Sequence, residues 1–351
     1  MGGKGLGWLL AIVGVVLVAA GLVVMLVVVP GMKQLPADTD TTRTYEGTMA
    51  SMLDPTTFQM MTDLPIELER RFFVADTTDG LALVTEERAM TSGGQPLQQG
   101  VNNYSVDRVT MEWSDGYPEE WAENEGFWPR EGNVIGWPMG TEQRDYTGWS
   151  DDYMSTVPLT FVEEATHERS GMTLYKFTSA SDAQPIVPEM VQGMGLPTEL
   201  PKSQLALLLG GVELGPTVEA LLPTLLEQLP ETVPLGYYYD YEGTYWVDPD
   251  TGIIVDTEKR ETRTVGLSPD GIAGTALELL PAEQLGALRV PILDFTYTAT
   301  DVSVEEAKTD AEDAAGMLQL YGLILPLIGI VAGGLLLVLG IVFIARKPKA
   351  A

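Results

Sequence analysis

The chain of 351 residues contains no cysteine and a single histidine, His167, and it sets only 20 Lys and Arg against 50 Asp and Glu. Each scarcity closes off a class of function. Without cysteine there is no disulfide framework, no zinc–thiolate site and no thiol nucleophile. With one histidine a multi-histidine metal centre is impossible, and a Ser-His-Asp triad has only one possible pivot. A formal charge of −30 argues against a nucleic-acid interface on a basic face, because phosphate backbones repel such a polyanion. Internal repeats and low-complexity tracts are lacking as well.

Two stretches lack charge altogether. Trp8 to Val29 and Leu320 to Ala345 are uninterrupted apolar runs, each longer than the ~20 residues a helix needs to cross a ~30 Å hydrocarbon core. Helix is the expected form, since in lipid every backbone polar group must be satisfied within the segment. A cleaved signal peptide is the competing reading of the first run. Its apolar core exceeds the usual length, and no clear small-residue cleavage site precedes Gly31-Met32-Lys33, so an uncleaved anchor is expected. The tails hold Lys4, Arg346, Lys347 and Lys349 and no acid, leaving all 50 acids against the 16 remaining bases in between. The positive-inside rule then predicts cytoplasmic tails at 1–7 and 346–351, membrane helices at 8–30 and 320–345, and an extracytoplasmic segment at 31–319, all in a cell (inner or plasma) membrane.

The outer segment reads as strands with a helical insertion. Arg71–Ala75 and Leu81–Thr85 flank Asp79-Gly80, a hairpin signal. Val106–Trp113 and Thr173–Thr178 alternate, and Tyr237–Val247 with Ile253–Val265 form a strong hairpin around Asp248–Gly252. That acidic turn does not continue the alternating spacing of a calcium loop, so a tight turn is expected there. Residues 186–234 are Leu-rich, broken by prolines and helical in spacing over 203–210 and 215–229. Helices are also expected over 271–288 and over 303–318, the latter opening on a capping box, Ser303 to Glu306, and running into the second span. The order of elements lacks βαβ alternation. The expected fold is α+β, with two terminal transmembrane helices flanking a large antiparallel, barrel-like sheet.

A set of segments, in order along nearly the whole chain, resembles the actinobacterial envelope proteins called the porin PorA family. It comprises Leu35–Asp38 and Tyr45-Glu-Gly47 after the first span, then Val106–Thr110 and Gly136–Tyr146 with Trp149 and Asp151. Gly171–Phe177, Tyr245–Gly252 and the closing span with its short basic tail complete the set. The resemblance implies an envelope protein. Some members of the family are implicated in polar growth and in moving trehalose monomycolate beside an RND-type lipid exporter. The layout of two terminal spans around a β-rich body is also similar to CD36-type scavenger receptors, whose barrel holds a lipid tunnel. The word porin conflicts with the two apolar helices, since outer-membrane barrels cross with strands and avoid such runs.

Candidate sites follow from this. Leu205, Leu208, Val218, Leu221, Leu222, Leu225, Leu226 and Leu229 form an apolar stripe that is either a lid for an acyl chain or ordinary core packed on the sheet. Trp113, Tyr117, Trp121, Phe127, Trp128, Trp137, Tyr146, Trp149 and Tyr153, interleaved with acids, fit either a glycolipid headgroup site or a sheet core. The acid pairs Glu119-Glu120, Glu163-Glu164 and Asp151-Asp152 read as solvated charges rather than a glycosidase pair. His167 reads as a surface histidine at a strand edge, and Asp107-Arg108 as a partly buried ion pair. No catalytic residue, metal ligand or cofactor is assigned. The expected function is non-enzymatic. One form is a membrane-anchored envelope protein that binds a lipid or glycolipid and assists its transport, and the alternative is a scaffold organising envelope-assembly proteins through protein contacts.

Overall fold

The computed structural model describes residues 3–54, 59–210, 223–224 and 226–345. Its centre is one antiparallel sheet of eleven strands, curved into a half-barrel. The strands are β1 (Asp40–Leu53), β2 (Met60–Thr78), β3 (Leu81–Ser92), β4 (Gln95–Asp107), β5 (Tyr146–Ser150), β6 (Ser155–Thr166), β7 (Thr173–Pro185), β8 (Glu199–Pro201), β9 (Thr232–Val247), β10 (Ile254–Leu267) and β11 (Val290–Ala299). They lie in the order β4-β3-β2-β1-β11-β10-β9-β7-β6-β5, with β8 beside β9. The expected hairpins form. Asp79 (φ 43°) and Gly80 (φ 84°) turn β2 into β3. Between β9 and β10, Asp248 Oδ2 accepts from the Thr251 amide at 3.0 Å and its hydroxyl at 2.6 Å, a tight turn as its spacing predicts.

The free edges, β4 and β5, do not pair. The irregular segment 108–145 fills the gap through isolated bridges, Val106–Trp113, Glu112–Asn133 and Asn133–Gly148. Here the sequence expectation fails. Alternation predicts a strand through Trp113, but β4 stops at Asp107, whose carboxylate accepts from the amides of Val109 and Thr110 and bends the chain into a turn. Arg108 therefore does not pair with its neighbour; its Nε donates to the Leu35 carbonyl at 2.7 Å.

Helix α1 (Gly3–Val23) continues through a π turn to Met32. Helices α2 (Pro188–Gly193) and α3 (Lys202–Gly210) lie between β7 and β9, and α4 (Asp301–Gln319) runs without a break into α5 (Leu325–Ala345). Two helices, Gly5–Met32 and Asp301–Ala345, are long and apolar enough to cross a membrane. They pack antiparallel through glycines repeating every seven residues. A Cβ added at Gly14 would lie 2.5 Å from the Gly333 carbonyl oxygen, at Gly7 2.9 Å from that of Gly340, and at Gly21 3.0 Å from that of Pro326. Small residues let backbones approach this closely. Gly329 and Gly333 are both taken up by the chain's own first helix, and the start of α1 lies beside the end of α5.

Two helix expectations shift. The cap of α4 is Thr300, which accepts from the Ser303 amide, while Ser303 Oγ accepts from the Thr44 amide at 2.7 Å and ties the helix to β1. The helix expected over 271–288 is three short turns, Pro269–Ile272, Ala276–Leu279 and Ala282–Gly286, because Gly274 takes φ +75° and Pro281 cannot donate to a continuous ladder.

Candidate functional site

Strand alternation decides which side chains face the concave side of the half-barrel. On β9 it turns Tyr239, Tyr241 and Tyr245 inward. On β10 it does the same for Lys259, Glu261 and Arg263, on β3 for Glu86 and Arg88, on β2 for Arg70, and on β11 for Phe295 and Tyr297. Together with Trp128, Asn133–Trp137, Trp149–Asp152, Met190 and Met194 they line a hollow of about 360 Å³.

Its walls are charged, and every charge has a partner. Glu86, 1% exposed, receives Arg70 at 2.6 Å and the Tyr104 hydroxyl at 2.6 Å, with Arg88 at 3.8 Å. Burial pushes its carboxyl up, but Arg70, Arg88 and Tyr104 outweigh burial and hold it at about 2. Across the hollow Glu261 receives Lys259 at 3.0 Å and the hydroxyls of Tyr239 and Tyr297 at 3.0 and 3.2 Å, with Arg263 at 3.7 Å. Burial again opposes ionisation, and Lys259 and Arg263 overcome it and lower the pKa. Arg263 grips both oxygens of Asp152, at 2.9 and 3.2 Å. Asp151 takes the fully buried Arg130 at 2.9 Å and the indole N–H of Trp128 and Trp149 at 3.0 and 2.9 Å. Arg130 itself lies against the rings of Tyr104 and Trp128 and donates to the Asn103 carbonyl on β4, so this node clasps the two free edges of the sheet. The lining thus has Arg70, Arg88, Lys259 and Arg263 against Glu86, Asp151, Asp152 and Glu261. It is neutral within a chain of −30. Burial above all, and the neighbouring Glu86 or Glu261, raise the pKa of Tyr104, Tyr239 and Tyr297, so their phenols stay protonated and remain donors.

Two buried polar atoms among the lining residues have no partner. Asn133 donates both amide hydrogens, to the carbonyls of Thr110 and Gly136, which leaves its Oδ1 unmatched; the indole N–H of Trp137 is unmatched too. Such groups cost about 1–3 kcal/mol when nothing meets them, and here one is an acceptor and the other a donor.

The structure sorts the sequence candidates. Of the aromatics, Trp128, Trp137 and Trp149 line the hollow. Tyr117 packs edge to face on Trp113 and on Phe127, whose rings are tilted against each other, and Tyr117, Trp121 and Phe127 cover Leu81 and Leu83. Tyr146 sits in the core with Phe177, and Tyr153 donates to the Tyr239 carbonyl. Asp151 and Asp152 are not solvated acids but ion-paired walls of the hollow. His167 is no surface residue either. It is buried, its Nε2 lies 3.1 Å from Asp256 and its Nδ1 3.0 Å from Ser170 Oγ, because β10 brings Asp256 under the turn between β6 and β7. In the Leu-rich stretch Leu205, Leu208 and Leu229 are buried and Leu226 half-buried in a cluster around Val233, Leu235, Val265 and Val290. The space left among them is about 10 Å³, room for about one water. Val218, Leu221, Leu222 and Leu225 lie outside the described residues. Sequence reasoning missed Arg70, Glu86, Arg88, Lys259, Glu261 and Arg263. The signal that held them is period-two spacing of charges in strands whose neighbours carry tyrosine at the same period.

Comparison with known proteins gives one family. The sequence profile of a family described as Porin PorA matches residues 6–342. A curated relative from Corynebacterium resistens, named Porin PorA, is 25% identical over 325 residues, which is 82% of this chain and 78% of the relative. Among solved structures, a conserved protein of unknown function with a hot dog fold from Alicyclobacillus acidocaldarius aligns with 77% of this chain and 81% of its own at 11% identity and a TM-score of 0.13, too low to carry an argument.

Proposed function

The chain belongs to the Porin PorA family, and from that premise we propose that it is a membrane-anchored envelope protein whose hollow holds the head of a glycolipid and assists its passage across the envelope. The observation that carries this is the neutral, hydroxyl-rich lining. Glu86 takes Arg70 and Arg88, Glu261 takes Lys259, Asp152 takes Arg263 and Asp151 takes the buried Arg130, so an anionic head finds every lining cation already on a carboxylate. A polyhydroxylated head finds tyrosine hydroxyls and three tryptophan rings. A volume of about 360 Å³ lies within the roughly 300–1,000 Å³ of ligand sites. The apolar tail contributes about 0.8 kcal/mol per buried CH₂. No chemistry is performed on the ligand. The antiparallel anchors agree with both tails facing the cytoplasm, and an RND-type exporter is the partner the family resemblance implies.

A channel made of these strands fits poorly. A barrel in lipid needs an apolar outward band, whereas Glu67, Glu69 and Arg71 on β2 and Glu258 and Arg260 on β10 alternate with the inward set. A scaffold remains the rival reading, and ligand binding separates the two. The full chain in phosphatidylcholine nanodiscs is titrated calorimetrically with hexyl β-maltoside, with empty nanodiscs as the reference. Saturable one-to-one binding is expected, lost in Gly100→Trp, whose Cβ meets nothing and whose ring would fill the hollow. Absence of binding, or binding untouched by that substitution, overturns the proposal.

A further inference from the structure

A ligand must reach the hollow, and the two ends of the sheet differ in what they offer. At the far end Leu205, Leu208, Leu226 and Leu229 are packed around Val290, where β11 begins, with about 10 Å³ left open among them. Helix α4, which leads into the second apolar helix, leaves from the other end of the same strand, beyond Ala299. The strand's 10 residues put roughly 33 Å between them at ~3.3 Å per residue.

The membrane end is built differently. Phe72, Val134 and Ile135 line the hollow. The same three side chains pack against the cluster Ala82, Val84, Tyr104, Val106 and Met111, and Leu35 packs against that cluster as well. Leu35 stands three residues past Met32, where the first membrane helix ends. Two bonds to Arg108 pin it, its amide donating to the Arg108 carbonyl at 2.7 Å and Arg108 Nε donating back at 2.7 Å. One apolar cluster therefore touches both the hollow and the chain rising from the anchor. The strip over it, Asn133–Ile135, belongs to no strand. Single bridges from Asn133 to Glu112 and Gly148 and one bond from the Val134 amide to the Met111 carbonyl hold it. A segment with so few backbone bonds opens far more readily than a ladder.

We infer that the ligand is taken up from the bilayer rather than from solution, its head passing into the hollow and its chain trailing over the floor formed by Phe72, Val134, Ile135 and Leu35. This rests on the hollow being the ligand site. Leu205, Leu208 and Leu229 are then packed core at the far end and not the way in.

The test uses the full chain in phosphatidylcholine vesicles carrying an acyl glucoside with a diazirine in its chain. After irradiation, crosslinks are expected at Leu35, Phe72, Val134 or Ile135. Leu35→Asp, at a side chain of the passage that does not line the hollow, should slow loading by about tenfold or more, since a carboxylate in an apolar passage must be desolvated, while the affinity for hexyl β-maltoside stays within about twofold. Leu35→Ala, which only widens the passage, should load faster than wild type. Crosslinks confined to the far end at Leu205 and Leu208, or loading by the Asp variant at the wild-type rate, overturn the inference while leaving the hollow as a site. If the wild-type chain binds no hexyl β-maltoside, the ligand reading falls and this inference falls with it.

Discussion

Replacing Glu86 with Gln probes the ion-balanced wall most sharply. The side chain keeps its shape and loses the charge that faces Arg70 at 2.6 Å and Arg88 at 3.8 Å. Removing one partner of a buried pair costs about 3–5 kcal/mol, because the other charge is left uncompensated. That is a large share of the ~5–15 kcal/mol that hold a typical domain together. At roughly 2–4 °C per kcal/mol, the melting temperature of the β body, read by tryptophan fluorescence in nanodiscs at pH 7, falls by about 6–12 °C even at the low end of that range. The effect carries its own control in pH. The native carboxyl is held at about 2 against its ordinary 4.5, so its stabilisation is complete above ~4.5 and disappears as pH falls toward ~2. The gap between wild type and Glu86→Gln should therefore close across that window. The substitution also leaves the hollow with an unmatched cation, so hexyl sulfate, which wild type should ignore, is expected to bind the variant. A gap under about 1 kcal/mol at pH 7, or one that persists unchanged near pH 2, would refute the assignment of Glu86 as the hub of this wall.

Other consequences are checked as readily. Gly14→Leu drives a side chain into the Gly333 carbonyl, 2.5 Å from its Cβ, and should splay the two anchors, seen as lost energy transfer between fluorophores placed at the two chain ends; transfer that stays at the wild-type level contradicts the glycine packing. His167 is held below its usual pKa of 6.5 by burial, which outweighs Asp256, with Arg169 acting in the same direction as burial. Its folded pKa is depressed, so stability should fall as pH drops below ~6.5, and His167→Gln should flatten that limb of a thermal-stability profile. Arg130→Lys keeps the charge but cannot reproduce the fork onto Asp151 or the bond to the Asn103 carbonyl, so hydrogen exchange over β4 and β5 should rise while that over β9 and β10 stays as in wild type.

The architecture was largely legible in the sequence, because it depends on local signals. Uncharged apolar runs mark the anchors, and Asp79-Gly80 and Asp248–Gly252 mark the hairpins. The hollow was not legible, for a specific reason. The run Glu258-Lys-Arg-Glu-Thr-Arg263 is charged on both faces, so alternation shows no contrast between inside and outside. Only the curvature of the sheet brings Lys259, Glu261 and Arg263 opposite Arg70, Glu86 and Arg88. His167 and Asp151 escaped in the same way, since Asp256 and Arg130, which bury them, approach from other parts of the chain. In the Leu stripe, amphipathic spacing looks alike in a lid and in a core; of its described residues Leu205, Leu208 and Leu229 are buried in the cluster around Val233 and Val290.

The central claim is that the neutral hollow holds the head of an uncharged glycolipid. Native mass spectrometry of the full chain, released from the membranes in which it was made, tests this most directly. The account predicts one bound neutral glycolipid per chain in wild type and none in Gly100→Trp. A chain that emerges empty, or one that carries the same lipid after the hollow has been filled, would contradict it.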